Sequence, residues 1–91
     1  MFTVIYHENV VGIDIAKIAK AEKGRIRAAI EAKLFSRPEV YGKPLRKSLK
    51  AYRSLRVGEY RVVYRIEENY VKVLLIAHRS VVYDKAVKRI G

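Results

Sequence analysis

The sequence has no cysteine, no tryptophan, two histidines, two prolines and nine acidic side chains among 91 residues. Without cysteine there is no disulfide framework and no thiolate metal site, and nothing points to an oxidising compartment. His7 and His78 lie far apart and no carboxylate cluster has metal-ligand spacing, so metal-dependent hydrolysis lacks its ligands and no cofactor is expected. A glycine-rich phosphate loop and a nucleophile elbow are also missing. No apolar run approaches the roughly 20 residues of a membrane span. The opening MFTVIYHENV does not have the basic flank and long apolar stretch of an export signal. The expectation is a protein of the cytoplasm with no membrane partner.

What is present suits a compact fold. Hydrophobic residues make up 51% of the chain, above the range of disordered sequences. A chain of this length closes one core, so a single domain over residues 1–91 is expected. The scarcity of acid leaves a formal charge of +11, and its distribution is lopsided. Residues 1–42 carry 7 basic and 5 acidic side chains, whereas residues 43–91 carry 13 basic and 4 acidic. A polyanion would relieve that repulsion, and nucleic acid is the natural candidate. The plain alternative is a solvated surface that keeps the protein soluble. The charges interleave with strand-like sequence instead of lining one amphipathic helix, which argues against a membrane surface.

Phe2 to Tyr6 alternates as a short strand does. Asn9 can cap a helix on which Val11, Ile15 and Ile18 recur, weakened by Gly12. The pattern breaks around Ala21 to Gly24, and a second helical stripe runs through Ile26, Ala29, Ile30 and Leu34. Ser36, Arg37 and Pro38 end it, because a residue before proline is pushed out of the helical region. Glu39 to Lys50 reads as a long basic connection. Ala51 to Val57 and Tyr60 to Ile66 are alternating runs around Gly58 and Glu59, which predicts a hairpin with a type II′ turn. Val71 to Ile76 is a nearly continuous apolar strand, central in the sheet. Tyr83 to Ile90 suits a short terminal helix. The predicted class is α+β: an N-terminal strand, a helical hairpin, a three-stranded antiparallel meander and a C-terminal helix, with the helix pair on one sheet face.

The turn sets the register. With Gly58 and Glu59 in the loop, Val57 pairs with Tyr60, Arg56 with Arg61, Leu55 with Val62 and Ser54 with Val63. Leu55, Val57, Tyr60, Val62 and Tyr64 then share a face that covers the helices, while Ser54, Arg56, Arg61 and Arg65 share the other. Two arginines stand directly opposite each other, an arrangement that costs a few tenths of a kcal/mol up to about 1. Either Glu59, Glu67 or Glu68 neutralises them, or a bound phosphate does. A guanidinium suits a phosphate because its planar fork donates two parallel hydrogen bonds. Tyr52 and Tyr83 could stack on unpaired bases, which favours single-stranded RNA, although most of the tyrosines should be ordinary core or rim residues.

The run LRVGEYRVVYRI, Leu55 to Ile66, followed by a strand and HRSVVY, His78 to Tyr83, resembles the RelE/ParE superfamily of toxin–antitoxin toxins. The ending VYDKAVKRI, Val82 to Ile90, is most similar to RelE-like mRNA interferases. The resemblance covers nearly the whole chain, including the GKPLRKSL connection. It implies a ribosome-dependent endoribonuclease that cuts mRNA, inhibits translation and is silenced by a cognate antitoxin laid over the basic sheet. In such toxins the 2′-hydroxyl attacks the adjacent phosphate, which calls for a base, cationic stabilisation and an acid. Tyr83 matches the family's base, Arg61 the arginine that stabilises developing charge, and Arg79 the proposed acid. His78 is a rival for the acid, since an imidazole gives up a proton near neutrality. Where RelE carries two lysines on the first hairpin strand, this chain has Tyr52 and Ser54. Lys47 and Lys50, with Arg56 and Arg65, are then the expected RNA contacts. Two other readings stand beside this one: a ParE-like inhibitor of DNA gyrase without nuclease chemistry, and a basic RNA-binding module without catalysis.

Overall fold

Alternation of apolar side chains about a glycine bend builds the centre of the molecule. In the computed structural model, which describes residues 1–90, strands β3 (Arg53–Val57) and β4 (Tyr60–Glu67) form the expected hairpin. Its register pairs Arg56 with Arg61 and Ser54 with Val63. Gly58 has φ +60°, while Glu59 does not enter the left-handed region, which is the type II′ requirement. Strand β5 (Tyr70–His78) follows antiparallel with its apolar run buried, as an interior strand beside β4, which takes the middle place expected for β5. The N-terminal strand β1 (Thr3–Tyr6) adds parallel to β5. A two-residue strand, β2 (Lys43–Pro44), adds to β3 and completes the order β1-β5-β4-β3-β2.

The helical segment lies on one face, with a corrected boundary. Val10–Asp14 and Ile15–Lys17 form a short irregular helix, and Ile18 and Ala19 turn extended. Helix α1 (Lys20–Ala29) follows and continues as one wider turn through Ile30–Leu34. Ala21 to Gly24, expected as the break, lie inside α1. Their polar composition marks the solvated side of a helix whose inner side carries Ile26, Ile30 and Leu34. That inner side meets Leu55, Val57, Val62 and Tyr64 from the hairpin in the larger core.

The second face is not the open polar surface that the alternation implied. Helix α2 (Val82–Ile90) packs across it, and Val82 and Ala86 join Val63, Leu75 and Ala77 in a second core. Leu49, in the tight turn Lys47–Leu49, completes this cluster. The cause is visible in β4: Val63, between the two arginines in sequence alternation, is fully buried and needs a cover. The sheet is therefore a middle layer with helix on both sides.

Two polar anchors hold the peripheral chain. Tyr64, fully buried, donates its hydroxyl to the carbonyls of Pro38 and Tyr41, and Arg53 donates to those of Tyr41 and Gly42. Burial raises the Tyr64 phenol above its ordinary value of 10, with Arg53 opposing the shift. The long basic connection after Pro38 is thus pinned to the sheet. Gly42 sits there at φ +77°, and a Cβ at that position would lie 2.6 Å from the Tyr64 hydroxyl.

The other anchor closes the sheet edge beyond β1. Asp14 accepts a hydrogen bond from the Ile76 N–H at 3.0 Å. Its carboxylate also receives the Arg89 guanidinium through two nitrogens, at 2.7 and 3.0 Å, and Arg89 donates in addition to the Leu74 carbonyl. A side-chain carboxylate here does what a neighbouring strand would do, and it ties the last turn of α2 to the first helical segment.

Gly42→Ala is expected to lower stability by about 1–3 kcal/mol, from strain at positive φ plus the clash with Tyr64, measured by urea unfolding. Asp14→Ala leaves the buried Arg89 charge without its partner, and a loss of about 3–5 kcal/mol is expected in the same assay.

Candidate nucleic-acid interface and catalytic site

The hairpin register converges several cations on the end of the sheet nearest Gly58. Arg61 is half-buried on β4 and donates from Nη1 to the Ser54 Oγ at 3.2 Å. Ser54 is itself only 2% exposed, so it works as a fixed prop for that guanidinium. Directly across the ladder, Arg56 is exposed and donates from Nε to the Gly58 carbonyl at 2.9 Å. Both side chains are held by neutral acceptors. Among the described residues neither forms an ion pair with a carboxylate.

The three acids that could have neutralised this pair are accounted for. Glu59 turns to Arg79, 3.4 Å away. Glu67 binds Arg65 at 2.6 Å and Lys72 at 2.9 Å, and the hydrogen bond from Lys72, reinforced by both positive charges, holds its carboxyl below the usual carboxylate range. Glu68 is exposed in the β4–β5 turn at φ +54°, at the opposite end of β4 from Arg61. Two positive charges therefore share one sheet face at paired backbone positions, Arg61 turned toward Ser54 and Arg56 toward the Gly58 carbonyl, and neither is matched by a carboxylate among the described residues. A phosphate would complement these two charges.

Arg79 joins this end. Its backbone N–H donates to the Glu59 carbonyl at 2.9 Å, so the chain leaving β5 closes onto the hairpin loop. Tyr83 is in the first turn of α2 and 44% exposed, while its neighbour Val82 is buried in the second core with Ala77. Ala77 is the cross-strand partner of Arg61. The seating of Val82 therefore brings the start of α2, and Tyr83 with it, to the same face and the same end as Arg61.

The remaining expected residues separate from this group. His78 pairs with Tyr60, edge to face with ring centroids 5.8 Å apart, and so shares the face of the larger core while Arg61 points to the other. Its Nδ1 accepts the Ser80 N–H at 3.1 Å and lies 2.8 Å from the Ser80 hydroxyl. Arg65 also departs from the expected arginine strip. Buried Val63 under α2 stands between it and Arg61, Glu67 takes its charge, and its guanidinium lies 5.7 Å from the Tyr52 ring centre. Lys47 and Lys50 flank buried Leu49 in the turn that packs beside α2, both exposed. Arg53, by contrast, spends its donors on Tyr41 and Gly42 on the opposite face. Reading the residues alone missed the role of Ser54 as the prop for Arg61. The signal was there, since the register already placed a small hydroxyl two pairs away from the two arginines, on the same face.

Comparison with known proteins gives the family and the fold. Residues 13–83 match the model of a family described as the ParE toxin of type II toxin–antitoxin systems. Toxin RelE of Mycobacterium tuberculosis is 44% identical over 52 residues, an alignment covering 55% of this chain and 54% of the relative, so the chain spans about half of that protein's length. Among solved structures, the toxin–antitoxin complex RelBE2 of Mycobacterium tuberculosis matches with TM-score 0.72 and 31% identity over 86% of this chain and 98% of the other. The isolated RelE toxin of E. coli has TM-score 0.71 and 23% identity with both chains fully covered, a likeness of fold. With a strand, a helical segment, an arginine-bearing meander and a terminal helix in the order of these structures, the chain belongs to the RelE/ParE superfamily of type II toxin–antitoxin toxins.

Proposed function

We propose that this toxin is an endoribonuclease that cuts mRNA on the ribosome, using protein groups alone, and that a cognate antitoxin silences it. The observation that supports the reading is the Arg56–Arg61 rung, two arginines at paired positions of one sheet face that form no ion pair among the described residues, at the end of the sheet where Arg79 closes onto the hairpin loop.

In this scheme the scissile phosphate seats against Arg61. The Tyr83 oxygen takes the proton of the 2′-hydroxyl, and O2′ forms a bond to phosphorus. Negative charge grows on the nonbridging oxygens, and the Ser54-propped guanidinium of Arg61 stabilises it from a position set before substrate arrives. The bond from phosphorus to O5′ then breaks. The leaving oxygen takes a proton delivered by Arg79, and the products are a 2′,3′-cyclic phosphate and a 5′-hydroxyl. Arg79 is preferred to His78 as the acid because His78 belongs to the other sheet face. Arg56, Lys47 and Lys50 contact flanking phosphates, and Arg65 contributes only once freed from Glu67. An acidic antitoxin segment over the same cations would block all of these contacts at once. The ParE-like reading of gyrase inhibition needs none of this geometry, and a toxic chain that leaves messages intact would favour it.

Primer extension on translated messages after induction tests the scheme. New 5′ ends inside coding regions are expected, and their absence with the wild-type protein would sink the nuclease reading. Arg61→Ala and Tyr83→Phe are each expected to lower cleavage by about 100-fold to 10,000-fold, with unfolding transitions close to wild type. His78→Ala is expected to stay within a few-fold of wild type, while Arg79→Ala loses most activity. The reverse ranking in single-turnover cleavage would exchange their roles.

A further inference from the structure

A second concentration of uncompensated charge lies away from the hairpin. Residues 7–17 and the last turns of α2 enclose a shallow hollow of about 420 Å³, which none of the hairpin residues lines. Lys17, Lys85 and Lys88 line it, all exposed, and none forms an ion pair among the described residues. The one carboxylate in the lining, Asp14, is already consumed by Arg89 and the Ile76 N–H. The hollow therefore keeps three full positive charges. His7 adds a ring nitrogen: its Nδ1 accepts the Asn9 N–H at 3.0 Å, which leaves Nε2 as the donor.

Lysine ammonium groups are point charges on flexible stems, suited to phosphates whatever the bases between them. The lining offers little to a lipid surface, with Ile13 its one exposed large apolar side chain. We propose that this hollow is a second phosphate-binding surface, which seats the backbone of a folded RNA while the hairpin arginines hold the strand to be cut. The inference rests on the RNA reading above and adds a docking contact for structured RNA, separate from the chemistry. Two separate basic surfaces let the toxin grip a folded RNA without occupying its cleavage site.

Binding measured by fluorescence anisotropy between about 50 and about 200 mM salt tests this, with two uncleavable probes, a 2′-O-methyl RNA hairpin and a 2′-O-methyl single strand. In the variant K17E/K85E/K88E the slope of log affinity against log salt for the hairpin is expected to shrink by about 2–3, at about 0.7–0.9 per phosphate contact. The neutral variant K17Q/K85Q/K88Q should show the same loss, and matching circular dichroism checks that both fold. Arg61→Ala should weaken the single-strand probe and leave the hairpin slope unchanged. An unchanged hairpin slope in both lysine variants overturns the proposal, as does lysine-dependent binding to phosphatidylserine vesicles in place of RNA. Cleavage of messages is read separately, so a toxin that proves not to be a nuclease leaves this measurement intact.

Discussion

Arg56 and Arg61 oppose each other as like charges across one rung of an antiparallel ladder. The type II′ turn at Gly58 fixes the rung, so neither residue can slip to a neighbouring position without turning the whole apolar set of β3 and β4 to the wrong face. Each guanidinium is satisfied by a neutral oxygen, which settles its hydrogen bonding and leaves its charge. A fold does not gain stability from this arrangement. On the proposed reading it gains a preformed place for an anion, at a cost small beside the burial of Leu55, Val57 and Val62 on the reverse side.

The rest of the structure serves that place. The larger core holds β3 and β4 against the helical segment. The smaller core, through Val82, sets where α2 begins and hence where Tyr83 stands relative to Arg61. At its other end α2 is fastened by Arg89 to Asp14, so the helix is positioned from both ends. Acids are few, and their placement matters: Glu59 and Glu67 bind cations at the edges of the basic surface and leave the central pair alone.

Local rules made much of this legible in the residues. The glycine in a two-residue loop between alternating runs specified turn type, register and the opposed arginines, and all three are present. The helical segment was found, but its break was misplaced, because a polar stretch such as Ala21 to Gly24 reads equally as loop or as the outer side of a helix. The cover over the second face was not legible. Alternation tells which side chains share a face, and only the fully buried Val63 shows that the face must be closed over part of its length. Arg65 was grouped with Arg61 for the same reason, since sequence spacing carries no information about the helix that divides them. Asp14 was passed over entirely. A single acid within VVGIDIAKIA is the mark of a buried carboxylate awaiting a partner, and that partner, Arg89, is 75 positions away in the chain. The resemblance to a known family supplied the roles of Tyr83 and Arg79, which no periodicity could have assigned.

The most direct measurement is a double-mutant cycle on Arg56→Gln and Arg61→Gln, read by urea unfolding with and without an uncleavable deoxyribonucleotide oligomer. In the free protein the two positions should be coupled unfavourably, by a few tenths of a kcal/mol up to about 1, and the oligomer should abolish or invert that coupling. A coupling of zero or of favourable sign in the free protein, unaltered by the oligomer, would contradict the idea that these two charges wait for a phosphate.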